Sequence, residues 1–115
     1  MRVGSIRRTH IGTNVYKALI DMTCSKAVIS RCIRELLEVR TAEASICPSD
    51  VARSLEADGA AWRALMPAVR EVGRQLADNG FVQITQAGKV LAPTGEIRGP
   101  IRLRRGPNYS RWQPG

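Results

Sequence analysis

The stretch CPSDVARSLEADGAAWRALMPAVREVGRQLADNG, residues 47–80, decides the fold of this chain. It is typical of two helices joined by a tight corner, a helix-turn-helix. The first helix is predicted to begin at Ser49, whose hydroxyl can accept a hydrogen bond from an amide one turn ahead. Asp50 would then face the positive end of the helix dipole. Asp58-Gly59 ends this helix after about two turns, because both residues tolerate turn backbone better than helix.

The second helix is predicted to have Pro67 in its first turn, where a missing amide hydrogen costs nothing. Residues 62–66 could form a helical turn before it. Its end is predicted at Asn79-Gly80, because glycine can take the left-handed conformation that closes a helix. Three- and four-residue spacing predicts a buried face of Met66, Val69, Val72, Gly73 and Leu76. The opposite face keeps Ala68, Arg70, Glu71, Arg74, Gln75 and Asp78.

That opposite face is suited to the major groove of DNA. Arginine can bind guanine through two hydrogen bonds and glutamine can bind adenine in the same way. We therefore expect Arg70 and Arg74 to project freely into solvent, and Arg70, Arg74 and Gln75 to face the bases. The alternative is an ordinary solvated helix face, since Arg, Glu and Gln are all common helix formers. The helix by itself favours neither interpretation.

After Gly80 the hydrophobic period changes from helical to alternating, which predicts strands. Two short runs, FVQIT and KVL, flank Gln86-Ala87-Gly88, so we expect a β-hairpin with Gly88 at its turn. A hairpin directly after a recognition helix is a wing. The predicted fold class is therefore α+β: a winged helix-turn-helix of three helices with a small antiparallel β-hairpin wing.

The remaining segments complete a domain predicted at residues 25–105. Residues 25–40 carry the clearest amphipathic pattern and predict a scaffold helix capped by Ser25. Ile46-Cys47 could add a short strand beside the hairpin. Residues 98–105, RGPIRLRR, predict a basic strand or arm along phosphates, with a solubilising tail as the alternative. We expect residues 1–24 to be an accessory tail and residues 106–115 a flexible one.

The charge of the chain indicates a polyanionic partner. The net charge is +8 and the pI is about 10.5, values typical of nucleic-acid-binding proteins. From residue 25 to residue 97 the nine basic and nine acidic residues cancel, so the excess lies in the tails. Double-stranded DNA is the predicted partner. The predicted contacts are Arg63, Arg70, Arg74, Gln75, Lys89, Arg98, Arg102 and Arg104.

Other classes of function find little support in the sequence. Cys24, Cys32 and Cys47 are far apart and lack the paired spacing of zinc or redox sites, which favours a reduced, cytoplasmic setting. Cys32 lies on an apolar helical stripe and is predicted to be a core residue. No catalytic set or phosphate-binding glycine loop is present, so we expect neither an enzyme nor a cofactor. No apolar run approaches the length of a membrane span.

Several of these motifs together resemble a small family of uncharacterised bacterial proteins with a winged-helix-like domain. The resemblance runs from about Ile29 to Arg104 and is carried by ICPSDVARSL, WRALMPAVREVGRQLADNG, ITQAGKV and RGPIRLR. It implies the fold and no established activity.

Two functions follow as expectations. The first is a small DNA-binding protein, of the kind that regulates transcription. The second is a winged-helix module that binds another protein without nucleic acid, because the domain proper is electrically neutral and Glu71 and Asp78 lie on the face that would meet DNA.

Overall fold

The computed structural model describes residues 25–94 and 97–113, which form three helices and a four-stranded antiparallel sheet. The elements are α1 Lys26–Glu38, β1 Ser45–Ile46, α2 Pro48–Leu55, α3 Gly59–Asp78, β2 Val82–Gln86, β3 Lys89–Leu91 and β4 Arg102–Arg105. A 3-10 turn, Tyr109–Arg111, follows. The α+β class predicted from the sequence is confirmed.

The predicted hairpin is present as β2 and β3, with Gln86 paired to Lys89. Ala87 and Gly88 have φ angles of 53° and 83°. Two successive positive φ angles are the mark of a type I′ turn, whose twist matches that of the flanking strands. Gly88 therefore lies at the turn, as expected.

The sheet has the strand order β1-β4-β2-β3, so the hairpin is only part of it. β4, predicted as a basic strand or arm, lies between β1 and β2, with Ile84 opposite Leu103. The short strand at residue 46 is real, but it pairs with β4 and does not touch the hairpin ladder. The basic segment is thus an interior strand of the sheet.

The core lies between the three helices and one face of the sheet. Alternation along the strands turns Ile46, Ile84 and Leu103 inward, each at most 1% exposed. Gly73 of α3 packs on Leu103, where an added Cβ would lie 3.3 Å from the side-chain methyl carbons. The helices contribute buried residues at helical spacing: Ile29, Cys32, Ile33, Leu37, Val51, Ala52, Val69, Val72 and Leu76. Cys32 is a core residue, as predicted.

The first helix of the predicted corner begins earlier than Ser49. Cys47 is its N-cap and Pro48 its first residue, while the carboxylate of Asp50 accepts a hydrogen bond from the backbone N–H of Cys47 at 3.0 Å. The arrangement is a capping box, with a thiol in the place of the usual hydroxyl. The predicted start is one residue late because cysteine is not a common cap, although Pro48 at the first helical position is a common signal.

The start of α3 also differs from the prediction. The helix begins at Gly59, directly after the cap Asp58, whose side chain accepts a hydrogen bond from the N–H of Ala61 at 3.1 Å. Pro67 therefore lies inside the helix and not in its first turn. Only residues 56–58 separate α2 from α3. The corner is shorter than the sequence suggested.

The predicted end of α3 is confirmed. Gly80 has a φ of 79°, its N–H donates to the carbonyl of Ala77, and the N–H of Phe81 donates to that of Leu76. These two bonds form a Schellman motif, which satisfies carbonyls that the last helical turn would leave unpaired.

The segment after β4, predicted to be a flexible tail, packs on the domain as far as Trp112. Trp112 is 3% exposed and stacks on Phe81, with ring centroids 5.9 Å apart. Tyr109 meets the same indole edge-on, and the guanidinium of Arg34 lies 5.0 Å from the Tyr109 ring. The Gly- and Pro-rich composition suggested flexibility, but burial of one large aromatic side chain outweighs it.

Residues 1–24, the predicted accessory tail, lie outside the described part of the chain. Among the helices of residues 25–113 that are described, none has the length and apolar character needed to cross a bilayer.

Candidate nucleic-acid interface

Arg63 lies on the exposed first half of α3, beside Trp62. Its guanidinium carbon is 4.9 Å from the centroid of the indole, and that of Arg53 in α2 is 5.3 Å from it. Both distances are within cation–π range. Trp62 packs partly against the core and, through its contact with Arg53, links the two helices. Arg63 keeps its charge at the surface.

Arg70 does not project freely into solvent, which corrects the prediction. Its guanidinium donates hydrogen bonds to the backbone carbonyls of Ile97 at 2.7 Å and Gly99 at 3.2 Å. Both acceptors lie in the β3–β4 loop, residues 92–101. The planar fork of arginine suits two neighbouring acceptors. Arg70 therefore ties α3 to this loop.

Arg74 is also engaged, mainly with Glu71 one turn before it. The Nε and Nη2 atoms donate to the two carboxylate oxygens at 3.1 and 2.5 Å, and Nη1 is 3.4 Å from the carbonyl of Pro93. The hydrogen bonds from Arg74 hold the pKa of the Glu71 carboxyl below its usual value. The carboxylate of Glu71 thus offsets the positive charge of Arg74 that was expected to meet DNA.

Gln75 turns back toward its own helix. Its Nε2 donates to Glu71 at 3.1 Å, and its Oε1 is buried without a partner among the described residues. The amide oxygen is therefore not presented to solvent, whereas base reading by a glutamine needs both amide atoms. Arg70 and Arg74 therefore do not project freely, although the Arg74 side chain is 34% exposed.

A cleft of about 270 Å³ lies between α3 and the β3–β4 loop. Its floor is apolar, with Ile84, Ile97 and Ile101, and Arg70, Arg74 and Glu71 line it from α3. The cleft shows that the helix and the loop face each other across a short gap, bridged by the hydrogen bonds of the two arginines.

Lys89 and Arg98 belong to the hairpin and to the β3–β4 loop. Lys89 opens β3 and is exposed. Arg98 is exposed in the loop, and its own backbone carbonyl accepts a hydrogen bond of 2.5 Å from Nε2 of Gln86. Five predicted contacts, Arg63, Arg70, Arg74, Lys89 and Arg98, thus belong to α3, the hairpin and the loop beside it.

Arg102 and Arg104 belong to a different surface. They alternate with the buried Leu103 in β4, so they lie on the sheet face turned away from α3. Arg102 donates to the hydroxyl and carbonyl of Ser45 and approaches the sulfur of Cys47 at 2.9 Å. Arg104 donates to Gln83 at 2.9 Å. The structure therefore does not bring these two arginines together with α3.

Nothing in the sequence predicted that Gln86 would bond to the β3–β4 loop. It appeared only as the first residue of a turn signal, and nothing in QAG indicates a side chain that reaches the loop. Its Nε2 donates to the carbonyls of Arg98 and Pro100. The contact could not be predicted locally, because the loop reaches Gln86 only when the chain folds back past β3.

Metal binding and thiol reactivity find little support in the residues that the structure describes. No group of three potential metal ligands occurs among residues 25–94 and 97–113. Burial raises the pKa of the Cys32 thiol, and the nearby Glu35 raises it further. A thiol held in its protonated form is a poor nucleophile, which agrees with a structural role.

The chain belongs to the family described as "Protein of unknown function (DUF3253)", whose model matches residues 26–106. The matched region runs from the start of α1 to just past β4 and so includes every helix and strand given above. A search of curated proteins gives no match.

Proposed function

We propose that this protein binds double-stranded DNA through a winged helix-turn-helix, with α3 as the recognition helix and the hairpin with the β3–β4 loop as the wing. The order of elements supports this: a helix, a short strand, two helices around a three-residue corner, then antiparallel strands. β4 adds a third strand beside the hairpin, because β2 pairs with both β3 and β4.

The observation that carries the proposal is the grouping of basic residues on α3 and the wing. Arg63, Lys89 and Arg98 are exposed there, and Arg70 and Arg74 join α3 to the β3–β4 loop. Glu71 and Asp78 oppose this charge on α3, so the surface is net positive but modestly so. Such a surface suits phosphate contacts, which contribute most of nonspecific DNA affinity. Direct base reading by α3 has less support, because Arg70, Arg74 and Gln75 all bond within the protein.

The test is fluorescence anisotropy with a labelled duplex of random sequence, measured across a range of salt concentrations. We expect binding whose affinity falls steeply with salt, because phosphate contacts release counterions. The double variant Arg63→Glu, Lys89→Glu should bind far more weakly. Its matched control is Arg31→Glu, Arg111→Glu, which makes the same change of charge at two exposed sites on α1 and the 3-10 turn.

Two results would count against DNA binding through α3 and the wing. One is the absence of salt-sensitive binding by the pure wild-type protein. The other is an equal loss of affinity in both double variants, which would mean that net charge alone attracts the duplex.

The second candidate is a module that binds another protein, favoured by the exposed carboxylate of Glu71. Its side chain is 51% exposed and neutralises Arg74 in the middle of the presumed contact face. Glu71→Gln separates the two functions. If α3 meets DNA, removing this carboxylate should strengthen duplex binding several-fold, because a repulsive charge is lost and Arg74 is released. If the face serves a protein, Glu71→Gln should leave duplex binding negligible.

A further inference from the structure

The β3–β4 loop is held from two sides in an alternating pattern. Arg70 of α3 donates to the carbonyls of Ile97 and Gly99, and Gln86 of β2 donates to those of Arg98 and Pro100. Four consecutive backbone carbonyls therefore accept hydrogen bonds from two side chains. We call residues 97–100 the clamped segment.

This arrangement is unusual for a loop. Carbonyls of irregular surface segments are ordinarily satisfied by water, and such segments are mobile. Here the acceptors that water would occupy are taken by groups on a helix and a strand, which are themselves fixed by the core. Each bond contributes modestly, but four of them acting on four residues restrict the segment strongly.

The chemical identity of both clamping residues matters. Arg70 spans two carbonyls with one planar group, which a lysine ammonium cannot reproduce in the same geometry. Gly99 makes the other half possible, because its φ is 84° and an added Cβ would lie 3.2 Å from Nε2 of Gln86. The clamp therefore depends on an arginine, an amide and a glycine at three separate positions in the chain.

The clamped segment carries Arg98, whose side chain is exposed, and its carbonyls at residues 97 and 99 are bonded to α3. We propose that it holds Arg98 in position to bind a phosphate of duplex DNA, and that Arg70 and Gln86 are positioning residues that contact the loop and not the DNA bases. This inference rests on the proposed function. A side chain carried on a fixed backbone loses less conformational entropy when it binds, so the clamp raises affinity without making a contact itself.

The test combines duplex binding with backbone order parameters from ¹⁵N relaxation. In the wild-type protein we expect order parameters of about 0.85 at Arg98 and Gly99, the value of rigid backbone. Arg98→Gln should leave them unchanged, weaken duplex binding and reduce the slope of log affinity against log salt by about one. Arg31→Gln, an equal change of charge on the exposed side of α1, should leave binding and slope close to wild type.

Arg70→Lys keeps the charge and removes the fork. We expect the order parameters of residues 98 and 99 to fall toward those of a flexible loop, about 0.6, and duplex binding to weaken several-fold. Gln86→Ala, which carries no charge in either form, should have the same two effects. It serves as an independent variant if Arg70→Lys folds poorly.

These outcomes distinguish failure of the proposed DNA binding from failure of the proposed role of the clamped segment. If the wild-type protein does not bind duplex DNA, the proposed function fails and the role of Arg98 fails with it, whatever the order parameters are. If the wild type binds but Arg98→Gln behaves like Arg31→Gln, only the inference is overturned. It is also overturned if Arg70→Lys weakens binding while the clamped segment stays rigid, because Arg70 would then contact DNA directly.

Discussion

Asp50 illustrates how much a single polar residue contributes at the start of α2. Its carboxylate accepts a hydrogen bond from the backbone N–H of Cys47, and Arg53 donates to it at 3.1 Å. The first of these bonds is the main reason that the pKa of Asp50 lies below its usual value. The ionised form is therefore favoured by folding.

Asp50→Asn should lower the free energy of unfolding at neutral pH by about 1 kcal/mol, the usual scale of a capping contact. In the wild type, the unfolded chain binds a proton at Asp50 at a higher pH than the folded chain does. This part of the stability is complete above the unfolded pKa of about 3.9 and is lost as the pH falls through the folded pKa. The variant should therefore show a shallower loss of stability on acidification.

Urea unfolding from neutral to acidic pH measures the difference. Glu43→Gln, at an exposed position in the connection before β1, is the control and should run parallel to wild type. A parallel profile for Asp50→Asn would show that the capping bond does not stabilise the folded protein.

At the scale of elements, Pro67 is the most consequential departure from expectation. Proline in a helix interior removes one hydrogen bond and crowds the carbonyl four residues before it, here that of Arg63. Local chemistry therefore argued for a helix start at Pro67. The cap at Asp58 and the apolar contacts of Trp62, Leu65 and Met66 with the core outweigh that local cost.

Pro67→Ala should consequently raise the free energy of unfolding, by about 1 to 2 kcal/mol once the greater freedom of the unfolded chain is set against the regained bond. Urea unfolding checks this. Pro48→Ala is the matched control: at the first position of α2 no hydrogen bond is regained, so stability should stay the same or fall slightly. A destabilised Pro67→Ala variant would indicate that the packing of α3 needs the bend that proline imposes.

The helices and strands were largely predictable from the sequence, but the contacts between their side chains were not. Periodicity located α1, α3, the hairpin and β4, and Gly80 marked the end of α3, because these signals are local. The sequence could not show that Arg70 and Gln86 reach the same loop, since each lies far along the chain from residues 97–100. It also could not show that Glu71 would pair with Arg74, because arginine on an exposed face has several neighbours within reach. The sequence thus located the elements that carry Arg70 and Arg74, but it did not show that both side chains bond within the protein.

At the scale of the whole molecule, the chain closes on itself through its last segment. Trp112 fills a place against Phe81, its carbonyl accepts a hydrogen bond from Arg34, and the hydroxyl of Tyr109 donates to Glu38. These contacts fasten residues after β4 to α1 and to the start of β2. The compact unit therefore includes residues that sequence composition assigned to a tail.

A chain that ends at Arg105 should lose about 3 to 5 kcal/mol of stability, the usual cost of removing a buried tryptophan side chain. That is a large share of the 5 to 15 kcal/mol typical of a small domain. Urea unfolding and binding of a hydrophobic dye measure the loss. A chain that ends at Gln113 keeps Trp112 and should match the full-length protein. Equal midpoints for the two shortened chains would mean that Trp112 contributes little.

The interior position of β4 also constrains when the protein can form during its synthesis. β1 pairs with β4 alone, and β2 has only β3 beside it until β4 arrives. While the ribosome is still adding residues 102–105, the nascent polypeptide has its helices but no partner for Ile46, and the inner face of the sheet is incomplete. The domain therefore cannot close until β4 has been synthesised, and until then its apolar surfaces stay available to chaperones.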